Sequence, residues 1–544
     1  MNTFDYIIVG AGAAGCVMAH RLSADSSAHV LLIEAGGPGN HPLIHMPKGI
    51  AKVMASPDFT WPYMTEAEDA SNNIGESWAR GRVLGGSSAV NGMVYVRGQP
   101  ADYDALATQT SPDWNWQQIG AAFKVLEHHE LGAAPTRGDR GPLHISLPPA
   151  RSEIVRAAIA AGAAMGLTQQ SDVNDPQAGE RIGYVPLTVH KGRRQSAAVA
   201  FLDPIRGRRN LTIVTNVAID KVLFDGPRAA GVVGSRAGGV ITYHARREVI
   251  LSAGALSTPA ILQRSGVGPA NHLRALNIPV VHDSPELGRN LREHRGLVMQ
   301  WRVRDDVSHN REFRGARLVA NTLRYGLLHD GPMSSGAYEA GAWFKSQPDL
   351  AQADAQILIA PHTFDYSSPT FAVEPHGGMN CCVYVLRPES TGALLIRSTN
   401  PAELPLINSN YNSAESDRRK MIRIVRYARE LVAQAPLAQL VMAETRPGPS
   451  FGTDEEILVA HRQFGYGSYH ASGTCRMGKD DAAPVDPQLR VRGTEGLRVI
   501  DTSVFPFLLS GNTNAPATAI AWRAADVILQ TQASAVRSRE QLSA

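Results

Sequence analysis

The sequence predicts an α/β protein in which a parallel βαβ-based domain carries a second domain of α+β character. Three observations predict it. Residues 4–34 read as a short apolar strand, a glycine-rich turn, a helix and a second apolar strand, the dimensions of a βαβ unit. A buried strand at 248–251 again runs through small residues into a helix, and a strand at 497–500 precedes a helix at 515–529. Between about Trp301 and Pro447 the pattern changes to aromatics, prolines and polar loops around one amphipathic helix.

Taken in order, residues 4–9 form a continuous apolar run bounded by Gly10, as expected of a parallel strand covered on both faces. Residues 17–22 have helical spacing, and residues 30–34 are the second strand. Residues 36–47 are rich in glycine and proline and read as an extended excursion. Alternation in 211–217 and 221–224 predicts a pair of antiparallel strands. Residues 248–251 lead through Ser252, Ala253 and Gly254 into a helix. An amphipathic helix follows at 416–435, and the chain closes on a strand at 497–500 and a helix at 515–529. The expected division gives residues 1–155, 195–300 and 463–535 to the first domain, and residues 156–194 and 301–462 to the second.

With 544 residues, 43% hydrophobic and 19% charged, the chain can bury a large core. Its formal net charge of +3 gives no electrostatic footprint for nucleic acid. Short basic runs at 191–194 and 206–209 read as solvated loops. Cys16, Cys381, Cys382 and Cys475 lack metal-ligand spacing and form no disulfide framework. No leader or membrane-spanning run is evident, so a cytoplasmic location is expected, with peripheral membrane contact left open.

Gly10-Ala11-Gly12-Ala13-Ala14-Gly15 matches G-x-G-x-x-G between strand and helix, the Rossmann-like dinucleotide fingerprint. The first glycine permits the turn, the second the approach of a pyrophosphate, and the third close helix–strand packing. Glu34 ends the next strand 19 residues after Gly15, where its carboxylate can accept from a ribose diol. These features do not separate NAD from FAD. A second loop, 81–91, is too dense in glycine and serine for a packed element and offers amides to phosphate or flavin.

That loop, with Tyr95, Gly98 and Asp104, resembles the first signature of the glucose–methanol–choline (GMC) oxidoreductase family. Residues 254–268 resemble its second signature. Leu287-Gly288-Arg289-Asn290-Leu291-Arg292-Glu293-His294 is similar to its V-G-x-N-L-Q-D-H segment, departing at Leu287, Arg292 and Glu293. Tyr469-His470-Ala471-Ser472-Gly473-Thr474-Cys475-Arg476-Met477-Gly478 resembles its Y-H-P-x-G-T-C-R-M-G segment, with Ala471 in the proline position.

The resemblance implies a Rossmann-like FAD-binding domain with an α+β substrate domain, and FAD as cofactor. It places FAD against Gly10, Gly12, Ala14, Gly15, Glu34 and Ala35, with Val217 at the adenine. Arg82, Gly85, Asn91, Gly92, Met93 and Val94 are expected toward the flavin, with Ala253 and Asp501 as further contacts. Val90 occupies the position from which a histidine links the flavin in some relatives, so the expected cofactor is non-covalent.

Oxidising an alcohol removes a proton from oxygen and a hydride from carbon, and a flavin takes the hydride at N5. The protein must then supply a base, and neutral imidazole suits that task. The resemblance assigns it to His470 and assigns a positioning amide to Asn512, which cannot take a proton at neutral pH. Asn512 also has a bland reading as a helix N-cap, for which Asn514 is better placed. Tyr338, Glu339, Trp343, His362 and Phe364 are aromatic or polar candidates for the pocket wall without an assigned role. The expected activity is oxidation of a primary alcohol with a quinone, a dye-like acceptor or O₂ taking the electrons. A dehydrogenase leads, with an alcohol oxidase and an FAD-containing hydroxynitrile lyase as alternatives.

Overall fold

The apolar run Thr3–Val9 lies inside a seven-stranded sheet, flanked in parallel by Val30–Ile33 and Gly239–Leu251. This computed structural model describes residues 2–149, 152–367 and 372–543, the side chains of 532–543 excepted. Leu211–Val214 extends the sheet in parallel beside Val30–Ile33, and Leu497–Val499 pairs in parallel with the end of Gly239–Leu251. Arg228–Arg236 and Ala218–Asp225 continue it antiparallel.

The expected antiparallel pairing of 211–217 with 221–224 is therefore corrected. Leu211–Val214 fills the free edge of Val30–Ile33, and Asn216, at φ 58°, turns the chain before Ala218–Asp225 begins. A left-handed turn at asparagine lets two adjacent apolar runs serve different strand neighbours. The first helix, Ala13–Leu22, starts four residues before its expected onset, because the small residues after Gly12 enter the helix. The last helix, Asn514–Ser543, packs on it and pairs Asp526 with Arg21. Residues 36–47 are not extended throughout: Pro42–His45 forms one helical turn.

An eight-stranded, largely antiparallel sheet forms the second layer, centred on Arg295–Val303, Gly378–Val385, Ala355–Ala360 and Ala340–Phe344. The sheet character thus begins at Arg295, six residues before the change read from composition. Successive side chains on a strand point to opposite faces. Along Gly378–Val385, Met379, Cys381 and Val383 pack under the helices Glu153–Ala164 and Glu415–Ala433. Cys382 and Tyr384 point the other way, toward Met93, Val94 and Leu358. The four cysteines are buried and unpaired, so the Cys381–Cys382 dipeptide marks the alternation of the strand. That second face is the ceiling of the cavity described next.

Candidate active site

Three helices begin at one cavity of about 450 Å³, which lies at the carboxyl ends of Thr3–Val9, Val30–Ile33 and Gly239–Leu251. The helices are Ala13–Leu22, Gly254–Arg264 and Asn514–Ser543. The first has no side-chain cap, so its first-turn N–H groups face the space, whereas the Asp501 carboxylate takes the first N–H of the second. Unsatisfied amides at helix N-termini favour phosphate oxygens.

The three glycines of the first turn stand in three different environments. Gly10 sits at φ 97°, in the left-handed region where a Cβ is strained. A Cβ on Gly12 meets nothing within 4 Å, because this backbone faces the cavity. A Cβ on Gly15 would lie 1.9 Å from the Gly10 carbonyl oxygen. Gly15 therefore packs behind the cavity, while Gly10, Gly12 and Ala14 line it.

Glu34 is buried at the end of the second strand, accepting from Ala11 N at 3.0 Å and Gly36 N at 2.9 Å. Burial lifts its carboxyl to about 7, against those two amides and the nearby Arg82. Glu34, Ala35 and Val217 line one end of the cavity together with Asp220. Asp501 closes the floor, accepting from Gly254 N at 2.8 Å and Thr258 Oγ1 at 2.6 Å, next to Ala253.

The second glycine loop lines the cavity at Gly81, Gly86, Ser87 and Ser88, while its other side is buried in the protein. It is packed: a Cβ on Gly86 would lie 2.6 Å from Gly12 Cα, so the two glycine turns stack back to back. Val90, Asn91, Gly92, Met93 and Val94 face the cavity, whereas Arg82 and Gly85 do not line it. Arg82 lies over the Trp61 ring at 4.8 Å, leaving its buried Nε without a partner among the described residues. The loop is held by Arg194, which donates to the carbonyls of Ile44, Ser88 and Asn91 and to Asn91 Oδ1. Arg194 is 1% exposed, which corrects the reading of 191–194 as a wholly solvated run. Arg208 in the second basic run likewise donates to His20 O and Ser23 Oγ.

At the other end of the cavity stand His470 and Asn512, 42 residues apart in sequence and 3.0 Å apart through Nε2 and Nδ2. Asn512 therefore does not cap the last helix, and Asn514 is the first residue within that helix rather than its cap. Tyr469, at φ 65°, turns the chain so that His470 points inward.

A second histidine, quoted above only as part of a motif, completes the arrangement. His294 Nδ1 lies 2.9 Å from His470 Nδ1, and His294 Nε2 lies 2.7 Å from the Leu386 carbonyl. A carbonyl only accepts, so His294 carries its proton on Nε2 and its Nδ1 is a lone pair. His470 Nδ1 must then donate to it, which leaves His470 Nε2 as a lone pair receiving Asn512 Nδ2–H. The network thus runs Leu386, His294, His470, Asn512, and it ends on a buried Asn512 Oδ1 with no partner among the described residues.

Burial, with the His294 imidazole and the Arg80 guanidinium nearby, drives the His470 imidazole well below its ordinary value. Burial lowers His294 to about 4. Both rings are neutral at pH 7. Glu293, the departure from the family's aspartate, accepts the backbone N–H of His470 at 2.6 Å and of His294 at 2.9 Å. It pairs with Arg80, which lines the cavity and which sequence reasoning missed.

Around His470 the wall comprises Tyr338, Tyr384, Tyr466, Leu358, Cys382 and Ser468. The Tyr384 hydroxyl and Ser468 Oγ are buried without partners among the described residues, so this apolar chamber has polar atoms to offer a ligand. Of the wall candidates read from sequence, only Tyr338 lines it. Trp343 stacks under Arg181 at 4.9 Å, while Glu339, His362 and Phe364 lie outside the lining. Tyr338 and Glu339 stand just before the strand Ala340–Phe344, and only the first of them faces the cavity.

Comparison with known proteins agrees with this arrangement. Residues 4–296 and 388–521 match the GMC oxidoreductase family. The chain is 39% identical to an oxygen-dependent choline dehydrogenase of Pectobacterium carotovorum, over 97% of this chain and 95% of that protein. It is 36% identical to the alcohol dehydrogenase [acceptor] of Pseudomonas putida, over 97% and 96%. The crystal structure of pyridoxine 4-oxidase from Mesorbium loti superposes with a TM-score of 0.87 at 30% identity, over 96% and 98% of the chains. Formate oxidase, at 24% identity and a TM-score of 0.91, shares the fold. Two glycine turns stacked at the carboxyl ends of a parallel sheet, a histidine–asparagine pair under an antiparallel ceiling and matches spanning nearly the whole sequence place this chain in the GMC oxidoreductase family.

Proposed function

We propose that the protein oxidises an alcohol, expected to be primary, to the aldehyde with FAD as cofactor, passing the electrons to an acceptor other than O₂. The observation that carries this reading is the network from Leu386 to Asn512, which keeps His470 Nε2 unprotonated, its lone pair held by Asn512 Nδ2–H, beside an unpartnered amide oxygen in the same chamber. GMC oxidoreductases are FAD-dependent, and the cavity fits that group: an open backbone at Gly12, the uncapped start of Ala13–Leu22 and a buried carboxylate at Glu34. Gly10, Gly12 and Ala14 would hold the pyrophosphate, Glu34, Ala35 and Val217 the adenosine, and Asn91, Gly92, Met93, Val94, Ala253 and Asp501 the remainder. FAD, when bound, supplies the acceptor for the substrate's hydride.

A substrate hydroxyl that displaces Asn512 Nδ2–H gives its proton to His470 Nε2, and His294 keeps that ring in the tautomer able to take it. Asn512 positions the oxygen, accepting through Oδ1 or donating through Nδ2. The tyrosine-lined wall excludes water around the reacting carbon. Val90, 4% exposed and without a nucleophile, supports a non-covalent cofactor. The proposed two-domain division is supported by the two sheets, although Arg295–Val303 starts before residue 300 and Gly465–Gly467, given to the first domain, pairs in the second sheet. A cytoplasmic location is also proposed; no helix among the described residues is long and apolar enough to cross a membrane.

The test is anaerobic mixing of the flavin-loaded protein with choline, alkyl, aromatic and sugar alcohols, followed by readmission of air. Bleaching by at least one primary alcohol is expected, with slow recovery in air and fast recovery on adding a quinone. Fast recovery in air would reassign the protein as an oxidase. A flavin that no alcohol bleaches would overturn the reading in favour of a non-redox role.

A further inference from the structure

The helix Gly315–Leu328 turns its apolar side outward. Its only buried residue is Tyr325, whose hydroxyl donates to the carbonyls of His45 and Gly192. Val319, Leu323, Leu327 and Leu328 are 60%, 64%, 82% and 65% exposed. At about 100° per residue, Val319, Leu323 and Leu327 share one arc with Ala316 and Ala320, opposite Tyr325. A globular surface helix buries such a stripe, so the stripe serves a contact made outside the chain.

The surroundings of the arc say what that contact is. Arg317 and Arg324 border it, Arg311 and Arg314 precede it, and Lys191 and Arg193 flank Gly192, to which Tyr325 is tied. Glu312 pairs with Arg311 and Arg317, and Asp330 with Arg324, which leaves these six exposed basic side chains in excess of their paired carboxylates. The basic run at 191–193, which has no part in the proposed chemistry, finds a place here. A second copy packed on this arc would bring like-charged margins together, which disfavours it as the occupant. An apolar arc with a basic margin has the composition of a helix lying in a lipid–water interface, and its net positive charge selects anionic headgroups.

We propose that Gly315–Leu328 docks the protein onto an anionic lipid surface, with Val319, Leu323 and Leu327 among the acyl chains and the arginines at the headgroups. The inference does not depend on the alcohol-oxidising reading. Through His45 the helix rests on the segment that carries Ile50 and Met54 of the cavity wall, so a lipid-soluble molecule at the surface lies one layer from the chamber.

The test is sedimentation of the flavin-loaded full chain with vesicles of phosphatidylcholine alone or mixed with phosphatidylglycerol. Binding to the mixed vesicles, weakened by salt, is expected. The double variant Leu323→Glu, Leu327→Glu should lose it by at least about tenfold, and Arg317→Gln with Arg324→Gln should weaken it on the mixed vesicles only. All variants should keep the parent's flavin content, since none touches the cavity. A parent that ignores the mixed vesicles, or a leucine variant that binds as the parent does, overturns the proposal. A parent dimer that the leucine variant converts to monomer, seen by light scattering, would make a second copy the occupant instead.

Discussion

Replacing His294 with phenylalanine tests whether the network around His470 sets its chemistry or merely fills space. Phenylalanine keeps the ring stacked on Tyr384, whose centroid lies 4.9 Å from that of His294, but removes the acceptor for His470 Nδ1–H. A buried donor left without a partner costs about 1–3 kcal/mol. His470 can escape by moving its proton to Nε2 and donating to Asn512 Oδ1, which is unpartnered. That tautomer has no lone pair toward the substrate. At about 1.4 kcal/mol per factor of ten, the base-competent fraction falls about 5- to 150-fold. The assay is anaerobic stopped-flow bleaching by whichever alcohol the parent oxidises, with flavin content measured in parallel. His294→Asn presents an oxygen where Nδ1 stood and should restore most of the rate. If His294→Phe bleaches at the parent's rate with full flavin content, or if the asparagine variant is equally slow, the tautomer argument is wrong.

Other expectations follow from the same geometry. His470→Ala should slow bleaching by about two or more orders of magnitude while the flavin stays bound, because the ring and the dinucleotide cradle are built from different segments. The acid limb of the bleaching rate should lie below the ordinary imidazole range: burial lowers the His470 value, so the base stays deprotonated at neutral pH and is lost only as pH falls through that depressed value. A limb at or above pH 6.5 in a stopped-flow series would contradict this. Glu34→Ala removes a carboxylate that would accept from a ribose diol, and titration of the apoprotein should show FAD affinity reduced about 10- to 100-fold. Acid precipitation should leave the flavin in the supernatant, since Val90 has nothing to bond it; a yellow pellet would show a covalent link elsewhere.

The parts of the site that sequence reveals are those whose physics is local. Gly10, Gly12 and Gly15 each answer a requirement set within one turn, and the structure gives each a different environment. The parallel core is equally local, because strands covered on both faces announce themselves as unbroken apolar runs. Failures arise where a neighbour decides. Leu211–Val214 alternates like an antiparallel strand, yet it pairs parallel because the open edge beside it belongs to Val30–Ile33. Arg194 stands in a run that looks solvated, but the carbonyls of Ile44, Ser88 and Asn91 converge on it from distant segments. Nothing in the spacing of charges reports that.

His294 is the sharpest case. Its motif was visible, and so was His470, but the relation between them needs a third party. The Leu386 carbonyl lies 92 residues from His294, and His470 lies 176 residues from it. That oxygen has no side-chain identity to read, yet it decides which nitrogen of each ring holds a proton. Glu293 adds a related lesson. As a departure from the family's aspartate it read as a blemish in the motif, whereas its carboxylate grips the backbone of both histidines and pairs with Arg80. Its Oε1 holds both backbone N–H groups and its Oε2 holds Arg80, so Glu293→Gln should disturb both histidines where Ala471→Pro should disturb neither, read as the anaerobic bleaching rate of each variant.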